Sequence, residues 1–373
     1  MKFCYFNHMP WRHMTQPCGV WPYERSQYDA IVGHEEFTNF FEQVTLAEES
    51  GFDWVAFGEE HSTPFGVLPN SSLACAIAAR ITKRVRIAAL GYPVPLLNPL
   101  RLAEECAWLD VMSAGRLEVG LLRGVPQSYV TYNIDPSKSW ARFEQGVELV
   151  MKAWMSDDSF SWSSSEFEFP TVAVWPRCLQ KPHPPILFSA GSERSLKLAA
   201  TIGARVGQVH LVKLGAVEEA ATAFANFRRF WREAGRLYRN DDTLLGLYAC
   251  IADSRSEARD LLNDAFEYMR KYLSGAFRSQ KQKIFTETGY AEDARSADKS
   301  FVPGEELTIE QRIEAGLVIC GTPAEACDQI ARLKELADPG ILSLHFQVGN
   351  MAHKAVCKSI AHTGKYIIPA FRN

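Results

Sequence analysis

The chain has 373 residues, 47% of them hydrophobic and 23% charged, with a formal net charge of −4. This is an ordinary globular balance, with enough apolar mass for a sizeable core. Lys and Arg are scattered, which argues against nucleic acid or an anionic membrane surface as the main partner and leaves room for a local basic site that takes one phosphate.

No run approaches the ~20 apolar residues of a membrane span. The opening "MKFCYFNHMPW" has neither the long apolar core nor the cleavage site of a signal peptide. The nine cysteines, at 4, 18, 75, 106, 178, 250, 320, 327 and 357, are odd in number and contain no C-x-x-C. They are expected to be reduced thiols of a cytoplasmic protein, with no metal site.

Residues 2–9 read as a strand. Phe37, Phe40, Phe41, Val44 and Leu46/Ala47 recur at spacings of three and four and predict a helix over 35–50, stopped by Gly51. A strand over 52–58, a helix over 71–82, a strand over 84–92, a helix over 99–112 and a strand over 116–122 follow. A helix over 139–154 leads into a long connection with "FSWSSSEFEF" (160–169) and "VAVWP" (172–176). Then come a strand over 184–191, a helix over 192–202, a strand over 204–211, a helix over 216–237, a strand over 244–253 and a helix over 256–278. Residues 279–311 are polar and carry no assignment. Thr322-Pro323-Ala324-Glu325 is a capping box that opens a helix over 323–337. A strand over 340–348 and a helix over 353–366 close the chain.

Eight nearly continuous apolar strands alternate with helices, as in parallel sheets covered on both faces. Such a pattern admits a doubly wound sheet or a closed barrel. Eight units, and no G-x-G-x-x-G after the first strand, favour an α/β (β/α)8 TIM barrel with insertions after strands 4, 6 and 7. The whole chain, 1–373, is read as one barrel domain, although its length also admits two.

Barrel enzymes work at the carboxyl ends of their strands. The second strand ends in "FGEEHSTPFG". Adjacent strand residues face opposite ways, so Glu59 and Glu60 do not both look into the mouth. His61 is the better candidate, with one glutamate orienting its ring; a structural histidine competes evenly with that reading. Strand three ends in "ALGYPVPLLNP", where Gly91 lets a flat ligand approach the main chain. Arg123, after strand four, suits a phosphate or carboxylate. Gly191 and Ser192 open the helix after strand five as an N-cap and anion site, and Ser195 adds a hydroxyl one turn on. Ordinary capping and a surface ion pair explain each of these alone; their meeting on neighbouring strand ends is what points to one phosphate.

The blocks "GFDWVAFGEEH", "NPLRLAEECAWLDVMSAGRLEVGLLRG", "PPILFSAGSERSLKLAATIGA" and "GTPAEACDQIARL" resemble the bacterial luciferase-like family of flavin-dependent monooxygenases. The resemblance implies reduced FMN across the barrel mouth, its phosphate held by Arg123, the Gly191 and Ser192 amides and Ser195. It places Leu90, Gly91 and Tyr92 under the isoalloxazine, often with a non-proline cis peptide, here at Leu90–Gly91, and matches His61 to the family's active-site histidine. It implies dioxygen as co-substrate through a C4a-peroxyflavin, a separate NAD(P)H flavin reductase, and a homodimer or homotetramer. Three positions depart from the family: Ser62 stands where a second histidine is common, Leu122 where luciferases proper carry a reactive cysteine, and His210 where an aromatic residue often lies near the flavin. Light emission is therefore not expected.

Trp11, Phe65, Trp162 and Trp175 are expected to line a pocket for an apolar or aromatic small organic substrate, by hydroxylation or Baeyer–Villiger insertion. Residues 279–311 are read as a lid or, equally, a surface loop. Two rivals share the fold: a deazaflavin-dependent oxidoreductase and a non-catalytic flavin-binding relative.

Overall fold

Strand β1 (Lys2–Asn7) is buried at five of its six positions, the mark of a strand covered on both faces. The computed structural model describes residues 1–17, 22–209, 211–274 and 307–372. Helix α1 (Ala30–Glu49) starts at Asp29, whose side chain accepts from the amides of Ile31 and Val32. It ends at Gly51, which takes φ 88°. Strand β2 (Trp54–Phe57), helix α2 (Ser71–Ile81), strand β3 (Arg86–Pro93), helix α3 (Pro99–Met112) and strand β4 (Leu117–Leu122) repeat the unit. A short helix α4 (Pro126–Thr131) precedes helix α5 (Ser139–Met155).

The long connection after β4 then forms an antiparallel hairpin, β5 (Phe160–Ser163) with β6 (Glu168–Val172). Strand β7 (Ile186–Ser189), helix α6 (Glu193–Ile202), strand β8 (Arg205–Gln208), helix α7 (Ala216–Glu233) and strand β9 (Thr243–Ile251) resume the alternation. The predicted helix over 256–278 is α8 (Arg255–Tyr268), continued by a wider turn to Leu273. Of the segment 279–311, residues through 306 lie outside the described residues. A helix over Ile309–Glu314 follows, opened by a Thr308/Gln311 capping box.

Strand β10 (Val318–Gly321) is an element the sequence reading did not assign. The predicted capping box is present: Glu325 N donates to Thr322 Oγ1, and Thr322 N donates to Glu325 Oε2 at 3.0 Å. Strand β11 (Ile341–His345) and a helix over His353–His362 complete the fold.

Eight strands close a parallel barrel in the order β1–β2–β3–β4–β7–β8–β9–β11, sealed where β11 pairs with β1. β10 is a ninth strand, paired with β9 from Tyr248 to Ile251, above the point where β11 ends. The fold is thus an α/β (β/α)8 barrel. Alternate residues point inward, and Cys4, Phe6, Trp54, Ala56, Ala88 and Leu187 belong to an apolar cluster separate from the helix-facing core.

The amino-terminal end of this interior is closed by charge. Glu118 of β4, fully buried, meets the Arg86 guanidinium from β3 and, at 2.6 Å, Arg205 from β8. Arg205 also reaches Asp241 at 3.3 Å. Removing one member of such a group leaves buried charge uncompensated. Glu118→Ala is therefore expected to lower unfolding free energy by about 3–5 kcal/mol, read from denaturant melts; a change within about 0.5 kcal/mol would show that the triad contributes nothing to stability.

Candidate active site

The site is built from the residues that follow the barrel strands. β2 ends at Phe57, and the next residues divide by side. Glu59 turns toward α2: its Oε2 accepts from the Ser71 amide at 3.0 Å and the Ser71 hydroxyl at 3.3 Å. Its Oε1 lies 3.2 Å from His61 Nε2. Glu59 is thus the glutamate that orients the imidazole. His61 is 7% exposed, and its Nδ1 lies 3.1 Å from the Tyr132 hydroxyl, the two rings meeting edge-on at 4.9 Å.

Glu60 turns the other way, and its amide donates to the Leu68 carbonyl at 3.0 Å. Burial, helped by the charge of Glu59, pushes its carboxyl up to about 8. Glu60 in turn adds to the burial that raises the Tyr248 phenol above its ordinary value.

At the end of β3 the Leu90–Gly91 peptide is cis, and the register with β4 shifts between Ala89 and Tyr92. A Cβ on Gly91 would sit 2.4 Å from the Gly120 carbonyl oxygen. Gly91 thus packs its Cα directly against the β4 backbone. Leu90 packs on the inner barrel cluster. Tyr92 does not face the mouth with its side chain: the shift turns it outward, where its hydroxyl lies 2.9 Å from Ser72 Oγ of α2.

Arg123 follows β4, with its guanidinium carbon 4.7 Å from the centre of the Trp140 ring. Arg194, in the first turn of α6, lies 4.4 Å from the same ring. Two cations over one indole bring the rim after β4 and the turn after β7 together. Ser192 caps α6, accepting from the Ser195 amide at 3.3 Å. Ser195 Oγ donates to the Ser192 carbonyl at 2.8 Å and lies 2.9 Å from Ser192 Oγ. Gly191 faces Gln208, whose Nε2 would be 3.0 Å from a Cβ at this position. Arg194 is also forked onto Glu144, at 3.0 and 2.9 Å.

Trp11 and Phe65 meet at the mouth in one aromatic cluster with Met14 and Tyr268. Trp11 is buried, and its Nε1 donates to the Gln27 carbonyl at 2.9 Å. Phe65 stacks on His8 at 4.6 Å. Trp162 and Trp175 do not join this cluster. Helix α5 leads away from the rim, and Lys152 near its far end lies 5.4 Å over the Trp162 ring. Trp175 is 83% exposed, two residues before Arg177, which pairs with Asp157 just beyond α5. Trp162 belongs to the hairpin, which packs along α5, and Trp175 to the connection that leads from the hairpin to β7. His210 lies outside the described residues.

Tyr132, Trp140 and Arg194 escaped the sequence reading. No local motif marks Tyr132, which meets a histidine 71 positions away. Trp140 looks like any aromatic residue of an amphipathic helix, and Arg194 like a surface charge. Among the described residues, no three His, Cys, Asp or Glu side chains are grouped to hold a metal ion.

Fold and rim together define a barrel enzyme. Residues 14–339 match the luciferase-like monooxygenase family, and the chain belongs to that family. It is 26% identical over 249 residues to the oxygenase component of the flavin-dependent trigonelline monooxygenase of Acinetobacter baylyi, covering 66% of this chain and 68% of that one. The crystal structure of the monooxygenase RslO1 from Streptomyces bottropensis superposes with a TM-score of 0.78 at 24% identity over all of both chains. The oxygenating constituent of 3,6-diketocamphane monooxygenase from Pseudomonas putida, in complex with FMN, gives 0.74 at 19% identity over 99% and 98%. An F420-dependent secondary alcohol dehydrogenase also shares the fold, at 0.67 and 16% identity over 100% and 99%. At these identities the structural likeness speaks for the fold alone.

The Glu60 carboxyl gives a pH dependence with a definite sign. Its folded value is raised, so between about pH 4.5 and 8 the folded protein holds a proton that the unfolded chain releases. Stability is present below that window and falls as pH rises through it. Glu60→Gln is expected to melt like the parent at pH 5 and about 2 °C or more above it at pH 8.5; a difference that does not grow with pH would refute this.

Proposed function

We propose that this protein is the oxygenase of a two-component system, using reduced FMN from a separate NAD(P)H flavin reductase and dioxygen to oxygenate a small apolar or aromatic molecule. The observation that carries this reading is the convergence of Arg123 and Arg194 on Trp140, beside the Ser192-capped start of α6. Two guanidinium groups, two hydroxyls and helix-terminal amides can all donate, as an anion requires, and the one carboxylate among them, Glu144, is paired with Arg194. The donor set therefore fits a flavin phosphate, with Arg123, the Gly191 and Ser192 amides and Ser195 as its holders and Arg194 as an addition. Bound reduced flavin would supply the two electrons with which dioxygen gives one oxygen atom to substrate and the other to water.

The remaining steps belong to the chain. The backbone at Leu90 to Tyr92 would support the flat ring system. His61, buried and oriented by Glu59, would hold or return a proton at the reacting centre. Trp11 and Phe65 would turn an apolar surface to the substrate and exclude water. The oxygenase-component relative supports the separate reductase. The eight described cysteines are free thiols, as suits a cytoplasmic protein.

Arg123→Ala is expected to weaken FMN binding about ten- to a hundredfold in calorimetric titration, the worth of a charged hydrogen bond. Unchanged affinity would refute the phosphate assignment. Product formation with reduced deazaflavin under strict anaerobiosis would overturn the oxygenase reading in favour of hydride transfer.

A homodimer is proposed on the outward faces of α2 and α3. Leu73, Ile77 and Ile81 recur every four residues along α2 and are exposed, as are Trp108 and Val111 on adjoining α3. A contiguous exposed apolar patch marks an interface. Light scattering should give twice the chain mass for the parent and the single mass for the Leu73→Asp, Trp108→Asp double variant; a monomeric parent would overturn the proposal.

A further inference from the structure

His61 carries the acid–base role in the reading above, and the following inference rests on that assignment. Both of its ring nitrogens are engaged. Nε2 lies 3.2 Å from Glu59 Oε1, and Nδ1 lies 3.1 Å from the Tyr132 hydroxyl. The second Glu59 oxygen already accepts from the Ser71 amide and hydroxyl. A carboxylate only accepts, so the hydrogen of the neutral ring is on Nε2. Nδ1 then carries the lone pair, and the Tyr132 hydroxyl donates to it. Burial, with the charge of Glu59, raises the Tyr132 phenol above its ordinary value, so it keeps the hydrogen it donates.

Exposure separates the two partners. His61 is 7% exposed and Tyr132 46%. Glu59 and Ser71 lie on the inner side, at the start of α2, and are fixed by packing. Tyr132 sits at the carboxyl end of α4, in an exposed stretch that runs from Val130 to Asn133. The same short helix is anchored three residues earlier, where the Tyr129 hydroxyl donates to the Arg123 carbonyl. Helix α4 is therefore tied through Tyr129 to the Arg123 backbone and covers the imidazole through Tyr132 at its carboxyl end.

We propose that Glu59 fixes His61 as its Nε2–H tautomer and that Tyr132 is the gate over the remaining nitrogen, so that His61 exchanges protons at Nδ1, through the Tyr132 hydroxyl or after the phenol swings aside. Both are positioning residues, acting through His61. Proton balance follows directly: a proton that arrives at the phenol oxygen displaces the phenol hydrogen onto Nδ1, and the reverse transfer returns it, with Glu59 stabilising the imidazolium formed in between.

The test uses flavin-free protein, so its outcome is independent of whether FMN is the cofactor, which the Arg123 titration decides separately. Diethyl pyrocarbonate acylates an imidazole nitrogen that offers a lone pair, and mass spectrometry reads the rate at His61. In the parent, His61 is expected to react at least tenfold more slowly than half-exposed His13; in Tyr132→Ala, its rate should rise tenfold or more. Nitrogen-15 spectra at pH 8 should show the Nε2–H tautomer in the parent and in Tyr132→Ala, and a mixture of tautomers in Glu59→Gln, whose amide both donates and accepts. Equal acylation rates in parent and Tyr132→Ala would overturn the gate. An Nδ1–H ring in the parent, or no tautomer change in Glu59→Gln, would overturn the role of Glu59.

Discussion

A single buried carboxylate ties three barrel strands together at the floor. Glu118 reaches inward from β4, and guanidinium groups from β3 and β8 close on it. Burial outweighs even two arginines and holds its carboxyl above the usual range. Each charge here is tolerable only because the others are present. The consequence is architectural. The end of the barrel where the strands begin is filled by paired charge and by Trp54, so the opposite rim is where a ligand has room.

On that rim, the site divides into two halves joined by one short helix. One half is cationic, with Arg123 and Arg194 over Trp140 beside the capped start of α6. The other is a line of hydrogen-bonding groups from Ser71 through Glu59 and His61 to Tyr132. Helix α4 touches both, through Tyr129 and Tyr132. A phosphate-bearing ligand held by the first half would place its remainder beside the second. In the proposed function this geometry would separate binding from chemistry, with the cationic half kept apart from the imidazole.

Much of this was legible before the fold was known. Eight apolar runs, most followed by a helical period, point to parallel strands, and their number, with no dinucleotide-binding glycine motif, favours a closed barrel over an open sheet. The rim positions of His61, Arg123, Ser192 and Ser195 follow from strand ends alone. The four aromatic residues divided differently. Trp11 and Phe65 share one cluster, whereas Trp162 packs along α5 in a hairpin and Trp175 is exposed after it, a division no local pattern records. The glycine at 91 also has a packing reason that the sequence did not show, since a Cβ there would meet the β4 carbonyl.

The sequence by itself determined the eight main strands, the helices between them and the residues that stand at strand ends, because periodicity and capping are local properties of the chain. Only the tertiary structure decided that Glu59 faces His61 while Glu60 turns away, that Trp140 gathers two arginines, and that Tyr132 covers the imidazole. Those contacts join residues far apart in the chain, and their partners are selected by how the helices pack around a closed barrel, a property that no stretch of sequence contains alone.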